Sequence, residues 1–176
     1  MIMTVTADQI GKAQAVGLHN VDVAARVANE TGNKFYHVCA LLEKESGGRN
    51  VYGHDVGGTL SGFPRGVSKD NYEVFYWLVI TKAGRSNGVG PMQLTFKGFH
   101  TDMISKGLKP YDPYDNITYG AKLWRDYYRL YRTQGFSRDQ SIKMAGERYN
   151  GAAEYGERLL VIMDKWFKIV GNDDYT

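Results

Sequence analysis

The sequence predicts a mainly α-helical protein with little β-structure. Apolar residues recur at three- and four-residue spacing in several segments, which is the pattern of helices packed on a core. Residues that favour helix N-termini precede these segments, and glycines follow several of them. Residues 47–66 are rich in glycine and lack helical periodicity, so we expect loops or a small β-hairpin there.

The length and composition predict one domain spanning residues 1–176. A chain of 176 residues with 43% hydrophobic residues buries one core, and no repeat or linker divides it. The single cysteine, Cys39, cannot form an internal disulfide, and we expect it in the core. The apolar run at 74–80 is too short to span a membrane. With a net charge of +3 and no basic run, no nucleic-acid partner is expected.

Capping residues and glycines set the helix boundaries in the first third of the chain. Thr6 and Gln9 resemble a capping box that opens a first helix. Asn20 is predicted to cap a second helix, which ends near Gly32. A third helix is expected over about residues 34–46.

The middle of the chain predicts two shorter helices. Ser68 or Asp70 can cap a helix that runs through Val79 and stops before Gly84. Residues 74–80 alone also fit a buried strand, but length and capping favour a helix. A further helix is expected over about 95–106.

The last third of the chain carries the clearest helix signals. Asp112 at the N-cap and Pro113 at the first helical position open a long helix. Ser137 and Gln140 form a capping box for a helix that ends near Tyr149. A final helix carries four apolar residues on its inner face: Leu159, Ile162, Met163 and Trp166.

Glu45 is the most unusual charged residue, because it continues the apolar stripe of the third helix. That stripe contains Phe35, Val38, Cys39 and Leu42. Partial burial and the negative end of the helix dipole would both raise the pKa of Glu45. A glycosidase needs such a protonated carboxyl to donate to the leaving oxygen. The alternative is a structural or solvated glutamate at a helix end, as we expect for Glu43 at the edge of the stripe.

Three sequence blocks, in order, resemble the lytic transglycosylase and goose-type lysozyme group of the lysozyme-like superfamily. The first is residues 45–48, Glu-Ser-Gly-Gly, and the second is residues 88–94, Gly-Val-Gly-Pro-Met-Gln-Leu, where Pro91 replaces the usual leucine. The third combines the helix opening at 112–117 with residues 149–152, Tyr-Asn-Gly-Ala. Such short patterns are specific only in combination.

The resemblance implies a lysozyme-like fold and cleavage of the β-1,4 linkage between MurNAc and GlcNAc in peptidoglycan. It assigns Glu45 as the catalytic acid. It also implies a substrate-binding set that lines the sugar cleft: Ser46, Gly90, Met92, Gln93, Tyr149 and Asn150. Glycines allow close approach of the backbone to a ligand, and Gln93 can both donate and accept hydrogen bonds.

Two mechanisms remain open from the sequence. A transglycosylase needs only Glu45, since the sugar's own hydroxyl closes a 1,6-anhydro ring. A hydrolase of the inverting type needs a second carboxylate to activate water. Asp55 is the candidate, as goose-type lysozymes place an aspartate after their glutamate, although a loop aspartate is usually a turn former. His54 has no companion ligands at a recognisable spacing, so no metal and no cofactor are expected.

The chain is also similar to glycosidase domains of endolysins from phages of actinobacteria. This resemblance implies synthesis in the host cytoplasm and action on the cell wall after release, and the N-terminus shows no signal-peptide pattern. The expected partner is the glycan strand of peptidoglycan, bound by a monomer. Two alternatives stay open: a noncatalytic glycan-binding or virion structural protein with a lysozyme-like fold, and a chitinase-like hydrolase.

Overall fold

The computed structural model describes residues 4–53 and 65–171, and over these residues the chain is mainly α-helical. The fold class predicted from hydrophobic periodicity is confirmed at this level. The described helices are α1 (Ala7–Ala15), α2 (Val21–Thr31), α3 (Phe35–Glu45), α4 (Lys69–Phe75), α5 (Lys97–Ser105), α6 (Pro113–Thr133), α7 (Arg138–Asn150) and α8 (Ala153–Val170). A π-helical segment, Tyr76–Lys82, continues α4.

Helix α3 lies in the centre of the main hydrophobic core, between α2 and α8. All eight residues from Phe35 to Leu42 are buried, including Cys39 as predicted. The prediction of a single apolar stripe was therefore too narrow, because neighbouring helices cover this helix on every side. Only its last turn, with Glu43 and Glu45, becomes half-buried and reaches the surface. This geometry presents a carboxylate at the exposed end of a buried helix.

Most of the predicted helix starts are confirmed by their hydrogen bonds. Thr6, Ser68 and Ser137 each form a capping box with the residue three positions later. The Asp112 side chain accepts hydrogen bonds from two backbone amides in the first turn of α6, and Pro113 opens that helix. Each interaction satisfies N–H groups that a helix start leaves without partners.

The prediction for Asn20 was right about the helix start and wrong about its cause. Asn20 precedes α2 with a left-handed φ of 53° and makes no side-chain cap. Its side-chain amide instead donates to the carbonyl of Gly48 at 2.8 Å. Asn20 therefore connects the start of α2 to the turn that follows α3.

The predicted inner face of α8 is largely confirmed, and α6 also buries one apolar face. On α6 the residues Ile117, Ala121 and Trp124 are buried, whereas Tyr128 and Tyr131 are half-buried. On α8 the fully or almost fully buried residues are Leu159, Met163 and Trp166, and Ile162 is half-buried.

The segment 74–80 is helical, so the alternative of a buried strand is wrong. Phe75 and Val79 face a second, smaller core that also contains Tyr52 and Val89. β-structure in the described residues is limited to two isolated antiparallel bridges, Val51 with Gly66 and Tyr52 with Val89. Residues 54–64 of the predicted loop or hairpin lie outside the described residues.

Buried His100 joins this smaller core to the segment that precedes α5. The Tyr72 hydroxyl lies 2.9 Å from His100 Nδ1, and His100 Nε2 lies 2.8 Å from the Leu94 carbonyl. A carbonyl only accepts, so Nε2 carries the proton and Nδ1 accepts from Tyr72.

None of the helices described by the structure combines the length and the apolar character needed to cross a lipid bilayer.

Candidate functional site

The Glu45 carboxylate lies at the C-terminal end of α3 and is hydrogen-bonded by a tyrosine. The Tyr155 hydroxyl, from the first turn of α8, donates to Glu45 Oε1. Tyr155 is only 5% exposed, whereas Glu45 is half-buried. Glu45 therefore lies on a boundary between core and solvent, in a fixed orientation.

The turn after Glu45 requires glycine. Gly47 and Gly48 have left-handed φ values of 67° and 77°. A Cβ at Gly48 would lie 2.1 Å from the His19 carbonyl oxygen. The Gly47 carbonyl in turn accepts a hydrogen bond from the His19 amide at 3.0 Å. The chain therefore leaves α3 along one path, which sets the position of Ser46.

Ser46 connects the first sequence block directly to the second. Its hydroxyl donates to the carbonyl of Pro91 at 2.8 Å. Ser46, predicted as a substrate-binding residue, thus uses its hydroxyl proton to hold the backbone of the second block beside Glu45.

Asn116 fixes the same backbone from the opposite side. Its side chain accepts from the Met92 amide at 2.9 Å and donates to the Val89 carbonyl at 3.0 Å. Gly90 has a φ of 76°, and a Cβ there would lie 2.5 Å from the Asn116 side chain. This close fit explains why the position is glycine. Asn116 belongs to the helix opening at 112–117, so part of the third block also contacts the second.

Gln93 stabilises the second block internally. Its side-chain amide nitrogen donates to the carbonyls of Val51 and Gly90 at 2.9 and 2.8 Å. A Cβ at Gly88 would lie 2.4 Å from the Gln93 side-chain oxygen. The residue also adopts an unusual φ of 46°. Both side-chain N–H groups therefore bind the protein itself, and a role of Gln93 in sugar recognition stays a prediction.

The buried position of the Met92 side chain does not favour its predicted role in substrate binding. Its side chain is fully buried beneath Gly120 of α6, where an added Cβ would lie 2.9 Å from the Met92 Cβ. In this arrangement the side chain supports the segment from the core. The Met92 carbonyl, in turn, accepts a hydrogen bond from Tyr149.

Tyr149 joins the third block to the second. Its hydroxyl donates to the Met92 carbonyl at 3.2 Å. Its ring stacks on Tyr155 with a centroid distance of 6.3 Å and an interplanar angle of 28°. Asn150 follows as the last residue of α7 and is exposed. Tyr149 is therefore part of the connected site, whereas a role of Asn150 in substrate binding stays a prediction.

These contacts form a closed circuit around the carboxylate. Glu45 is bonded by Tyr155, Tyr155 stacks on Tyr149, Tyr149 bonds Met92, and neighbouring Pro91 bonds Ser46 next to Glu45. Residues separated by more than 100 positions in the chain thus form one local arrangement.

The electrostatics of the two tyrosines follow from burial and from Glu45. Burial raises the pKa of Tyr149 and of Tyr155 well above the usual value, and the nearby Glu45 carboxylate raises both further. Both phenols therefore keep their protons near neutral pH and can donate. Lys44 adds a positive charge 4.6 Å from the Tyr155 ring centre.

The hydrogen bond from Tyr155 also bears on Glu45 itself. Donation to a carboxylate favours its charged form. This effect opposes those of burial and of the helix end, which favour the protonated form. The raised pKa of Glu45 stays a prediction.

Glu43 has a structural environment, as expected for a supporting charge. It accepts from Trp166 Nε1 at 2.6 Å and pairs with Lys165 at 2.8 Å, both on α8. Asp55 and His54 lie outside the described residues. Within residues 4–53 and 65–171, no group of three His, Cys, Asp or Glu side chains is arranged to hold a metal ion.

The sequence analysis missed Tyr155 and Asn116. Asn116 was detectable as a polar residue on the inner face of a strongly amphipathic helix, one position before Ile117. Tyr155 carries no comparable local signal, because its role depends on how α8 packs against α3.

The fold and this site define a mainly α-helical protein with a tyrosine-bonded carboxylate at the end of a buried helix. No family model, curated protein or solved structure matches the chain.

Proposed function

We propose that the chain is a glycosidase that cleaves the β-1,4 linkage between MurNAc and GlcNAc in peptidoglycan. Glu45 is the general acid. One observation carries the proposal: the three sequence blocks that resemble transglycosylases and goose-type lysozymes lie in mutual contact around one half-buried carboxylate. Nothing in the pattern of the sequence alone requires that contact.

In the proposed mechanism Glu45 donates a proton to the glycosidic oxygen as the bond to the anomeric carbon breaks. The two routes then differ in the nucleophile. In the transglycosylase route, the resulting carboxylate helps the sugar's own hydroxyl to close a 1,6-anhydro ring. In the hydrolytic route, a second carboxylate activates water. Tyr155 holds the Glu45 side chain in place, and Ser46 and Tyr149 hold the backbone of residues 91 and 92.

Mass analysis of fragments released from purified cell walls tests the proposal. We expect glycan fragments cut after MurNAc, because the acid acts at that linkage. Anhydro ends and reducing ends differ by one water, so the same spectrum separates the two routes. Release of no glycan fragment by a folded, concentrated protein would contradict the proposal.

Asp55 remains the candidate base for the hydrolytic route. If the fragments carry reducing ends, Asp55→Asn is expected to slow their release strongly. A near-normal rate for this variant would remove Asp55 from the mechanism. If the ends are anhydro, the variant is expected to act like the unmodified protein.

One observation favours a second candidate, a noncatalytic glycan-binding protein or virion structural protein. The hydrogen bond from Tyr155 favours a charged Glu45, which suits binding better than proton donation. Such a protein would bind purified walls without releasing fragments. A chitinase-like hydrolase differs from the peptidoglycan glycosidase and from the noncatalytic protein, because it would release short products from chitin oligomers.

A further inference from the structure

Aromatic rings continue from the Tyr149–Tyr155 pair onto α5 and α6. We define the aromatic row as Phe96, Phe99, Tyr119 and Tyr127. Ring centres of Phe96 and Phe99 are 5.3 Å apart, and those of Phe99 and Tyr119 are 5.8 Å apart. Tyr127 follows Tyr119 on α6 by about two helical turns, so the two residues lie on one side of that helix.

The aromatic row is continuous with the site. Burial is the main cause of the raised pKa of Tyr119 and of Tyr149, and nearby Tyr127 contributes to both. The guanidinium of Arg148, the residue directly before Tyr149 on α7, lies 4.8 Å from the Tyr127 ring centre, so Tyr127 adjoins the part of α7 that carries Tyr149. Next to Tyr119, Gly120 packs directly on Met92 of the second block. The row thus leads from solvent-facing Phe96 towards the Tyr149–Tyr155 pair beside Glu45.

The partial exposure of these rings suits them to bind a ligand. Phe96 is 59% exposed, and the other three rings of the row are half-buried. A ring that keeps one face accessible can stack on the apolar face of a sugar, and the phenol groups add polar tips. We propose that the aromatic row provides further sugar-binding subsites, so that the ligand is an extended glycan strand and not a short oligosaccharide. This inference rests on the proposed function, since it takes a glycan as the occupant of the site.

The charges along the aromatic row favour a glycan over a nucleic acid. Two carboxylates accompany the row: Asp102 accepts from the Tyr119 hydroxyl within it, and Glu45 accepts from Tyr155 in the adjoining site. Lys106 is paired with Asp102 at 2.7 Å, and the Arg148 guanidinium lies 4.8 Å from the Tyr127 ring centre. Single-stranded nucleic acids need cations that follow their phosphates as well as stacking rings. A strand of uncharged sugars requires only the rings and hydrogen-bonding groups.

Binding of N-acetylglucosamine oligomers tests the inference. Calorimetry compares a hexasaccharide with a trisaccharide on the Glu45→Gln protein, in which turnover is blocked. Phe96→Ala in this background is expected to weaken hexasaccharide binding by roughly three- to tenfold, the range of one aromatic stacking contact. Trisaccharide binding is expected to change less, because a short ligand need not reach Phe96.

Two further variants make the result specific. Phe96→Leu keeps apolar volume without the ring and is expected to weaken binding like Phe96→Ala, which also covers the case in which the alanine variant fails to fold. Trp77→Ala removes an aromatic side chain of similar exposure, 57%, from the π-helical segment, and is expected to leave binding unchanged. Unchanged binding in the Phe96 variants, or an equal loss in Trp77→Ala, would overturn the inference. So would binding of a single-stranded DNA oligomer in place of the hexasaccharide.

The outcome also separates this inference from the proposed function. If walls are cleaved but Phe96 does not affect hexasaccharide binding, the aromatic row is refuted and the role of Glu45 stands. If binding depends on Phe96 but the unmodified protein cleaves no wall, the row stands and the protein is a glycan binder.

Discussion

At the residue scale, the site depends on single atoms whose removal has separable effects. Tyr155 gives its hydroxyl proton to the Glu45 carboxylate, whereas Tyr149 gives its proton to the Met92 carbonyl. The two side chains stack on each other; Tyr155 is buried and Tyr149 is half-buried. They therefore form a matched pair, in which the Tyr155 hydroxyl is bonded to the carboxylate and the Tyr149 hydroxyl is bonded to a backbone carbonyl.

Tyr155→Phe is expected to move the alkaline limb of the pH–rate profile to higher pH. Without the donated hydrogen bond, the charged form of Glu45 is less favoured, so the acid keeps its proton at higher pH. Tyr149→Phe is the control, since it loses a bond to a backbone carbonyl and should leave the limb in place. An unchanged limb in Tyr155→Phe, or an equal shift in the control, contradicts the assigned contact.

The glycine turn after α3 gives a second prediction at this scale. Gly48→Ala places a Cβ in the left-handed region and against the His19 carbonyl, whereas Gly107→Ala, with a φ of 73°, meets no atom within 4 Å. The control should lose about 1–2 kcal/mol of unfolding free energy from backbone strain alone, and Gly48→Ala should lose more. Urea unfolding of the two variants measures the difference, and equal losses would show that the close contact with His19 is unimportant.

Sequence reasoning at the residue scale found the carboxylate but not its partner. Glu45 was detectable because it extends an apolar pattern along one helix. The Tyr155 contact joins two helices that are more than 100 residues apart, and no local pattern encodes it. For the same reason Met92 was assigned to substrate binding from its block, although its side chain lies in the core.

At the element scale, helix identities and starts were predictable because they depend on neighbours in the chain. The capping boxes predicted at Thr6 and Ser137 are present in the structure, and of the two caps offered for α4, Ser68 is the one used. The complete burial of α3 was not predictable, since periodicity reports a helix's own pattern and not how many neighbours cover it. The π-helical continuation of α4 likewise had no signal in the sequence.

The junction between α3 and α8 gives a prediction at this scale. Glu43 pairs with Lys165 and accepts from Trp166, so Glu43→Gln is expected to lower the unfolding free energy by about 1 kcal/mol. Thermal or urea unfolding measures this loss. Glu154→Gln is the control, because the Glu154 side chain is 87% exposed and only weakly paired. A loss no larger than that of the control contradicts a structural role for Glu43.

At the scale of the whole molecule, two buried histidines make stability depend on pH. Burial lowers the pKa of His100 to about 4 and lowers the pKa of His37 well below its usual value. His37 packs between Tyr36 and Trp124, and its Nε2 atom has no hydrogen-bond partner in the described part of the chain. Both histidines are therefore neutral in the folded protein at pH values where the unfolded chain binds protons.

Stability is expected to fall as the pH decreases from about 6.5 towards 4. In the unfolded chain His100 takes up a proton near pH 6.5, whereas in the folded protein it does so only near pH 4. Once both states are protonated, this difference has lowered the free energy of unfolding by about 3 kcal/mol. His37 acts in the same direction. Urea unfolding at pH 7.5, 5.5 and 4.5 measures the loss. His37→Leu and His100→Gln should each flatten the curve, and equally steep curves would contradict the assignment.

The central claim is that Glu45 supplies the proton that cleaves the glycan, and clearing of purified cell walls tests it most directly. Glu45→Gln is expected to reduce the rate by about 100- to 10,000-fold while the protein unfolds near its original midpoint. Glu43→Gln, the same change two residues earlier, is expected to retain the rate at lower stability. Undiminished clearing by folded Glu45→Gln would contradict the account.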